Sequence, residues 1–365
     1  MNLEIIIIAS VVSVACVIPG VFLLLRRMAL MSDAISHAIL PGIVAGFFIA
    51  GTLDSPLPMI GAVAASMATV FLTELLYKTR LVKSDAAIGI VFPAMFSLGV
   101  IMVTLYAGNV HLDTDAVLLG ELAFAPLDRT DIFGFSVPRS LVKMSGILAL
   151  NIGLALLFFK ELKLSTFDAG LSASLGFAPA LLNYGLMLTT SITAVGAFDS
   201  VGAVLVVALM IAPAATALLL TDRLSHMIIL AALIAIASSI LGFFLARALD
   251  AGIAGAMASM TGFAFVLAFF FSPKSGLVTH ARIRARMKKE FDVLMLAVHI
   301  LHHEGTDGME AECSEDHLTD HINWTAAVAK ATVEKSLVSG MVERRGSLLR
   351  LTEQGRAKAR TVLVQ

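Results

Sequence analysis

The sequence predicts an all-α polytopic membrane protein with a small α+β domain at its C-terminal end. Of its residues, 58% are hydrophobic and 15% are charged, and a water-soluble domain of that composition would expose too much apolar surface. The charge is also uneven. Residues 1–279 hold 13 basic and 15 acidic residues, whereas the much shorter segment 280–365 holds 13 and 12. We therefore predict a membrane domain at 1–279 and a cytoplasmic domain at 280–365.

The membrane domain contains about nine apolar runs near the length of roughly 20 residues that a spanning helix needs. These runs are residues 3–25, 29–51, 57–77, 86–107, 144–159, 180–198, 202–220, 226–249 and 256–272. The first run lacks a cleavage-like ending, so we interpret it as a span and not as a signal peptide. Residues 116–126 are too short to cross and are predicted to form a re-entrant half-helix.

Lys and Arg residues near the span ends predict the orientation of the chain. With the N-terminus outside, nine of these residues fall on the inner side and four on the outer side. Nine spans then place the C-terminal domain in the cytoplasm.

The second predicted span contains two ionisable residues, Asp33 and His37, which are four positions apart and so lie on one helix face. Asp inside a span costs roughly 2.5–3.5 kcal/mol on insertion scales, which indicates a functional site. Carboxylate and imidazole are both ligands for divalent transition metals. The alternative is that Asp33 pairs with a cation near the headgroups and His37 is a neutral packing residue.

The segment MALMSDAISHAILPG at residues 28–42 resembles the signature of the permease subunit of ABC importers for manganese, zinc and iron. The segments at 81–102 and 201–217 are also similar to that family, so the resemblance covers about residues 3–272. It implies a type II ABC importer-like permease in the bacterial cytoplasmic membrane. It also implies that Asp33 and His37 line the cation path.

Asp199 falls between two predicted spans. The sequence favours a loop position at the outer surface, and a position facing the cation path is the alternative. We therefore keep Asp199 as a further candidate metal ligand.

Residues 166–188 follow two inner lysines and contain a helix start signal at Asp168 and a turn signal at Gly176. This segment resembles the coupling helix of ABC permeases, which docks into a groove of the ATPase. Asp168, Leu171 and Gly176 are the candidate coupling residues. The alternative is a plain interfacial helix on the membrane surface.

The sequence contains no GxxxxGKS or GxxxxGKT run, so it lacks the phosphate-binding loop of an ATPase. The resemblance therefore implies a transporter subunit and not an enzyme, with ATP hydrolysed by a separate ATPase chain. It also implies an extracytoplasmic metal-binding protein and a second permease copy or paralogue as partners. The divalent metal is the cargo, and we expect no permanently bound cofactor.

The C-terminal domain begins with a basic run, Arg282–Lys289, that is predicted to rest on anionic lipid. Helical spacing and a turn signal near Gly346 predict three helices followed by a two-stranded hairpin. VEKSLVSGMVERRGSLLRLTEQGRAKA resembles the wing segment of metal-dependent repressors of the diphtheria-toxin-repressor type, which implies a winged-helix domain. The nearly balanced charge disfavours nucleic acid as a partner. The repressor resemblance favours manganese or iron as the cargo, with zinc possible.

Six of the nine histidines lie in this domain. His299, His302, His303 and Cys313 are candidate ligands of a metal-sensing site, to which Glu304, Glu310 and Glu312 could also contribute. The alternative is that these are surface residues of an interaction domain. Two other functions of the whole chain are alternatives to a metal-importer permease. A membrane-tethered metal-responsive transcription regulator is disfavoured by the weak tail charge, and a permease for an iron chelate or cobalamin leaves the Asp–His pair unexplained.

Overall fold

The computed structural model describes residues 2–52, 55–106, 122–132, 134–306, 309–314, 318 and 324–363. The described chain is mostly helical and carries two antiparallel hairpins. Its contacts divide it into two units, Met1–Gly276 and Leu277–Gln365.

The first unit is built from long apolar helices. They are α1 (Asn2–Leu25), α2 (Ala29–His37), α3 (Leu40–Ala50), α4 (Pro56–Lys78), α5 (Ser84–Tyr106), α6 (Arg139–Leu157), α7 (Phe159–Phe167), α8 (Ala169–Ser174), α9 (Pro179–Leu220), α10 (Leu224–Leu249) and α11 (Ile253–Phe271). Strands β1 (Arg129–Ile132) and β2 (Phe135–Pro138) form a hairpin that the sequence did not predict. In the predicted half-helix at 116–126, residues 116–121 lie outside the described residues and the rest form turns.

Eight helical stretches of the described chain are long and apolar enough to cross a membrane, where the sequence predicts nine spans. The difference arises at α9, which runs for 42 residues. Its backbone leaves the helical conformation at Gly202, with φ 75° and ψ 164°, which glycine adopts readily because it lacks a Cβ. The segments on either side of Gly202 correspond to the predicted spans at 180–198 and 202–220.

Helix α1 lies at the centre of the first unit, where it packs against α6, α9 and α10. Ile8, Val12 and Cys16 are fully buried. The Asn151 amide nitrogen on α6 donates to the carbonyl oxygen of Ala15 at 3.0 Å and to Thr193 Oγ1 at 2.8 Å. Such partners are needed because lipid offers none to a buried polar group.

Helices α3 and α4 approach backbone to backbone. A Cβ atom added to Gly42 would lie 2.0 Å from the carbonyl oxygen of Gly61. Small residues at helix contacts permit this approach in membranes. The contact holds α3, and with it the chain that follows His37, against α4.

The second unit consists of α12 (Leu277–His303), α13 (Met309–Glu312), α14 (Ala326–Val338), β3 (Val342–Arg345), β4 (Leu348–Leu351) and α15 (Glu353–Leu363). β3 and β4 pair antiparallel, as the sequence predicted. Leu296, Ile300, Val333 and Leu349 are fully buried at the core. The basic run is part of α12. The second of the three helices that the sequence predicts for this unit, at residues 314–321, lies mostly outside the described residues.

Candidate functional site

Helix α2 places Asp33 and His37 on one face, as their spacing predicts. Asp33 Oδ1 lies 3.5 Å from His37 Nε2. Met31 and Ile35 on the other side of α2 are buried in the apolar core. The Asp33 side chain is 46% exposed and that of His37 is 27% exposed, so both remain accessible from one side of this chain.

Helix α2 ends directly at His37. The chain turns at Ala38 and Ile39 before α3 begins at Leu40. The turn therefore lies inside the single candidate span Ala29–Ala50, which the sequence predicts at residues 29–51. Pro41 lies four residues after His37 and has no N–H to donate to the His37 carbonyl, so it cannot continue the helical hydrogen bonds. The negative end of the α2 dipole therefore lies at His37, where it favours a cation.

Helix α5 covers the imidazole with aromatic side chains. The ring centroid of His37 lies 5.5 Å from that of Phe92 and 6.2 Å from that of Phe96. One turn further along α5, a Cβ on Gly99 would lie 2.8 Å from Pro41 Cδ. Helix α5 thus packs along the break between α2 and α3 and limits where the His37 ring can lie.

Asp199 lies within α9, three residues before the break at Gly202, and not in the loop that the sequence favoured. Its Oδ2 accepts a hydrogen bond from Lys143 Nζ at 2.6 Å. The ammonium group of Lys143 offsets the charge of this carboxylate. The structure therefore gives Asp199 a cationic partner, whereas Asp33 lies beside an imidazole.

The predicted coupling segment has the local geometry that the sequence indicated. Asp168 caps α8, and its Oδ1 accepts from the Leu171 backbone N–H at 2.9 Å. Gly176 has φ +87°, so it reverses the chain after α8 at little steric cost. Leu171 is 47% exposed, which leaves an apolar side chain available to a partner.

Arg26 joins this segment to the end of α1, a role that the sequence analysis missed. Its guanidinium donates to Ser165 Oγ at 2.7 Å, to Thr166 Oγ1 at 3.1 Å and to Asn183 Oδ1 at 3.0 Å. These acceptors lie more than a hundred residues away in the chain. The sequence shows that these three acceptor residues are polar, but it does not show that they meet Arg26.

In the second unit the structure brings together His299, His303 and Glu312, whose ligand atoms all lie within 4.8 Å of one another. His302 lies beside them, with its ring centroid 5.3 Å from that of His303, but it does not belong to the group. Cys313 is fully buried in the apolar core of the unit. Burial and the nearby carboxylates of Glu304 and Glu312 raise the pKa of its thiol, which disfavours the thiolate that binds metals.

Comparison with known proteins gives one consistent result. The ABC 3 transport family matches residues 2–272. The "Zinc transport system membrane protein TroD" of Treponema pallidum is 58% identical over 355 residues, which is 97% of each chain. The "Manganese transport system membrane protein MntD" of Bacillus subtilis is 45% identical over 280 residues, covering 76% of this chain and 95% of the relative. The solved structure "PsaBC from Streptococcus pneumoniae in complex with Fab" superposes with a TM-score of 0.62 at 30% identity, covering 74% of this chain and 92% of the other.

Proposed function

The chain belongs to the ABC 3 transport family and is the membrane permease of a metal ABC importer, and we propose that the metal crosses it beside Asp33 and His37. The observation that carries this proposal is the accessible pair at the end of α2, with Oδ1 and Nε2 3.5 Å apart. Carboxylate and neutral imidazole bind divalent transition metals together. The negative end of the helix dipole adds to the attraction for a cation.

Two side chains alone would hold a metal weakly, which suits a path through which the ion must also leave. ABC permeases act in pairs, so the same residues of a second permease copy or paralogue would complete the ligand set. Asp199 remains a candidate for an outer position on this path. Its ion pair with Lys143 would have to open before it binds the metal.

Helix α8 and its flanking turns would be the contact with the ATPase. Asp168 fixes the start of this helix, Gly176 fixes the turn after it, and the exposed Leu171 offers an apolar knob to a groove on the partner. ATP would be hydrolysed by that separate chain, and an extracytoplasmic metal-binding protein would deliver the cargo. Arg26 then links the coupling contact mechanically to α1 and so to the span that carries the metal pair.

We propose a bacterial cytoplasmic membrane location with the N-terminus outside and the C-terminal unit in the cytoplasm. Counting α9 as two segments divided at Gly202 raises the eight candidate helices to the nine spans that this orientation needs. Membrane lipid would contact the basic run at the start of α12.

For the second unit, the order of helices, hairpin and closing helix supports a winged-helix domain. The weak net charge that the sequence shows disfavours nucleic acid as its partner. The boundary that we predicted from charge, between residues 279 and 280, would fall within the first turn of α12.

The relatives leave two metals to test. One is named for zinc and another for manganese, and an Asp–His pair suits both ions. We infer that the cargo is zinc or manganese in preference to iron, which is named for a more distant Haemophilus influenzae relative, 33% identical, called "Probable iron transport system membrane protein".

The test is uptake of radioactive zinc and manganese by cells that express this chain with its ATPase and binding protein. Asp33→Ala and His37→Ala should each abolish uptake at an unchanged level of membrane protein. The matched control is Leu30→Ala, which alters the same face of α2 without removing a ligand. Wild-type uptake by both ligand variants would contradict the proposal.

A further inference from the structure

The second unit contains a group of side chains of the types that bind metals, and none of them belongs to the pair proposed for transport. His299 and His303 are four positions apart near the end of α12, and their ring centroids lie 4.8 Å apart. Glu312 ends the short helix α13 and brings a carboxylate to the same place. All three side chains are partly buried, and one ligand atom from each lies within 4.8 Å of the others. Small movements of side chains would suffice to bring these atoms to the spacing of ligands around one ion.

A hydrogen bond already orients one of these rings. His299 Nε2 lies 3.1 Å from the backbone carbonyl oxygen of Glu312, and because a carbonyl can only accept, Nε2 must carry the proton. Nδ1 then keeps its lone pair, which is the form of imidazole that binds a metal. Histidine ligands in proteins usually donate their other N–H to a carbonyl or a carboxylate in this way.

We propose that His299, His303 and Glu312 form a binding site for a divalent transition metal, and that this site takes Zn²⁺ more tightly than Mn²⁺. Two imidazoles and one carboxylate are a known zinc ligand set that leaves a fourth position open. Mn²⁺ would bind more weakly at these ligands because manganese stands at the low end of the affinity order of divalent first-row metals. The buried Cys313 takes no part.

The site is placed to stabilise the hairpin. The residue after Glu312, Cys313, accepts a hydrogen bond on its carbonyl oxygen from the Leu349 N–H at 3.0 Å, and Ser314 forms a bridge with Leu348. An ion held between α12 and Glu312 would fix the segment against which β4 pairs. Metal in the cytoplasm would thereby stabilise the fold of the second unit, and this effect would not depend on the ion that is being transported.

The chain itself supplies a reporter for this site. Trp324 is the one tryptophan of the sequence, and it packs against the core that contains Ile300 and Cys313. Its fluorescence therefore reports on the second unit alone. The experiment uses the full-length chain in detergent, carrying Asp33→Ala and His37→Ala so that this pair cannot contribute to metal binding.

Zinc chloride is added in steps, and the emission of Trp324 is recorded at each step. The amount of bound zinc is measured by equilibrium dialysis. We expect a saturable change in emission at one zinc per chain. His303→Ala and Glu312→Gln should each weaken this binding at least about tenfold, since even the loss of an outer-shell partner costs that much. The control, His302→Ala, removes a neighbouring histidine outside the group and should bind as before.

The emission maximum of each variant without metal shows whether the second unit has kept its fold. If His303→Ala does not fold, the result for the nearly isosteric Glu312→Gln decides whether the site exists. Zinc binding that is unchanged in Glu312→Gln, or lost equally in His302→Ala, would overturn the proposal. The absence of any zinc-dependent emission change would do the same. Because transport is not measured, these outcomes are independent of the proposed path.

Discussion

The Asp33 carboxylate and the His37 imidazole lie 3.5 Å apart on a helix that ends at His37, four residues before a proline. The end of α2 thus combines two candidate metal ligands with the His37 carbonyl, to which residue 41 has no N–H to donate. Each feature favours a cation, and a metal path at this place would account for a costly carboxylate within a span. The predictions below test this arrangement and the parts of the fold that support it.

Pro41→Ala should reduce metal uptake severalfold without changing the amount of protein in the membrane. Alanine is favoured over proline within a helix by about 3 kcal/mol, and its N–H would allow α2 to continue into α3. The matched control is Pro56→Ala at the start of α4, where the missing N–H has no helical partner to lose. If Pro41→Ala takes up zinc and manganese at the same initial rates as Pro56→Ala, the break between α2 and α3 is not needed for transport.

Gly42→Ala should destabilise the membrane unit. The new Cβ would lie 2.0 Å from the Gly61 carbonyl oxygen, and such overpacking costs about 1–3 kcal/mol. A lower midpoint of thermal unfolding in detergent is the measurement. Gly89→Ala serves as the control because nothing lies within 4 Å of its added Cβ, and an unchanged midpoint for Gly42→Ala would contradict the close contact of α3 with α4.

Arg26→Ala should weaken both stability and coupling. It removes three hydrogen bonds from a charged donor, each worth about 1.5–3 kcal/mol when the donor is charged. We expect a lower temperature of half-unfolding and a smaller stimulation of the partner ATPase by loaded binding protein. The neighbouring Arg27→Ala is the control, since the Arg27 side chain is exposed. Equal effects of the two substitutions would show that the hydrogen bonds of Arg26 have no special role in stability or coupling.

Asp168→Ala should lower the ATPase stimulation, because loss of the N-cap costs about 1 kcal/mol and frays α8. Asp168→Asn keeps a side-chain oxygen that accepts from the Leu171 N–H, so it should retain most of the stimulation. The comparison is made in the reconstituted complex with loaded binding protein. If the alanine variant stimulates normally, α8 is not the coupling contact.

A chain that ends at Gly276 should still insert and transport. It contains the whole of the family match at 2–272 and both residues of the metal pair, and the contacts of the two units divide at this point. Uptake and co-purification with the ATPase are measured side by side. A truncated protein that inserts and assembles but does not transport would show that the second unit is part of the transport machinery.

The family and the membrane architecture were predictable from the sequence because their signals are local. Apolar runs report on spans directly, and a four-residue spacing places Asp33 and His37 on one face of any helix. Asp168 and Gly176 were likewise identified as a cap and a turn because these roles depend on one or two neighbouring residues. The family resemblance drawn from such segments is confirmed by the match over residues 2–272.

Other features depended on which faces of distant elements meet. The sequence placed both Glu312 and Cys313 among the possible ligands of the metal-sensing site, because spacing along the chain does not show which of the two side chains enters the core. It favoured a loop position for Asp199, whose partner Lys143 comes from a different helix.

The sequence by itself determined the helices, their apolar faces and the kinds of ligand that one turn of α2 presents, since these follow from hydrogen bonding and periodicity within a few residues. Only the tertiary structure decided that Phe92 and Phe96 cover His37. It also decided that α3 packs closely against α4 at Gly61 and that Arg26 joins α1 to the predicted coupling segment. These contacts join residues far apart in the chain, and their geometry is set by how whole helices pack against one another.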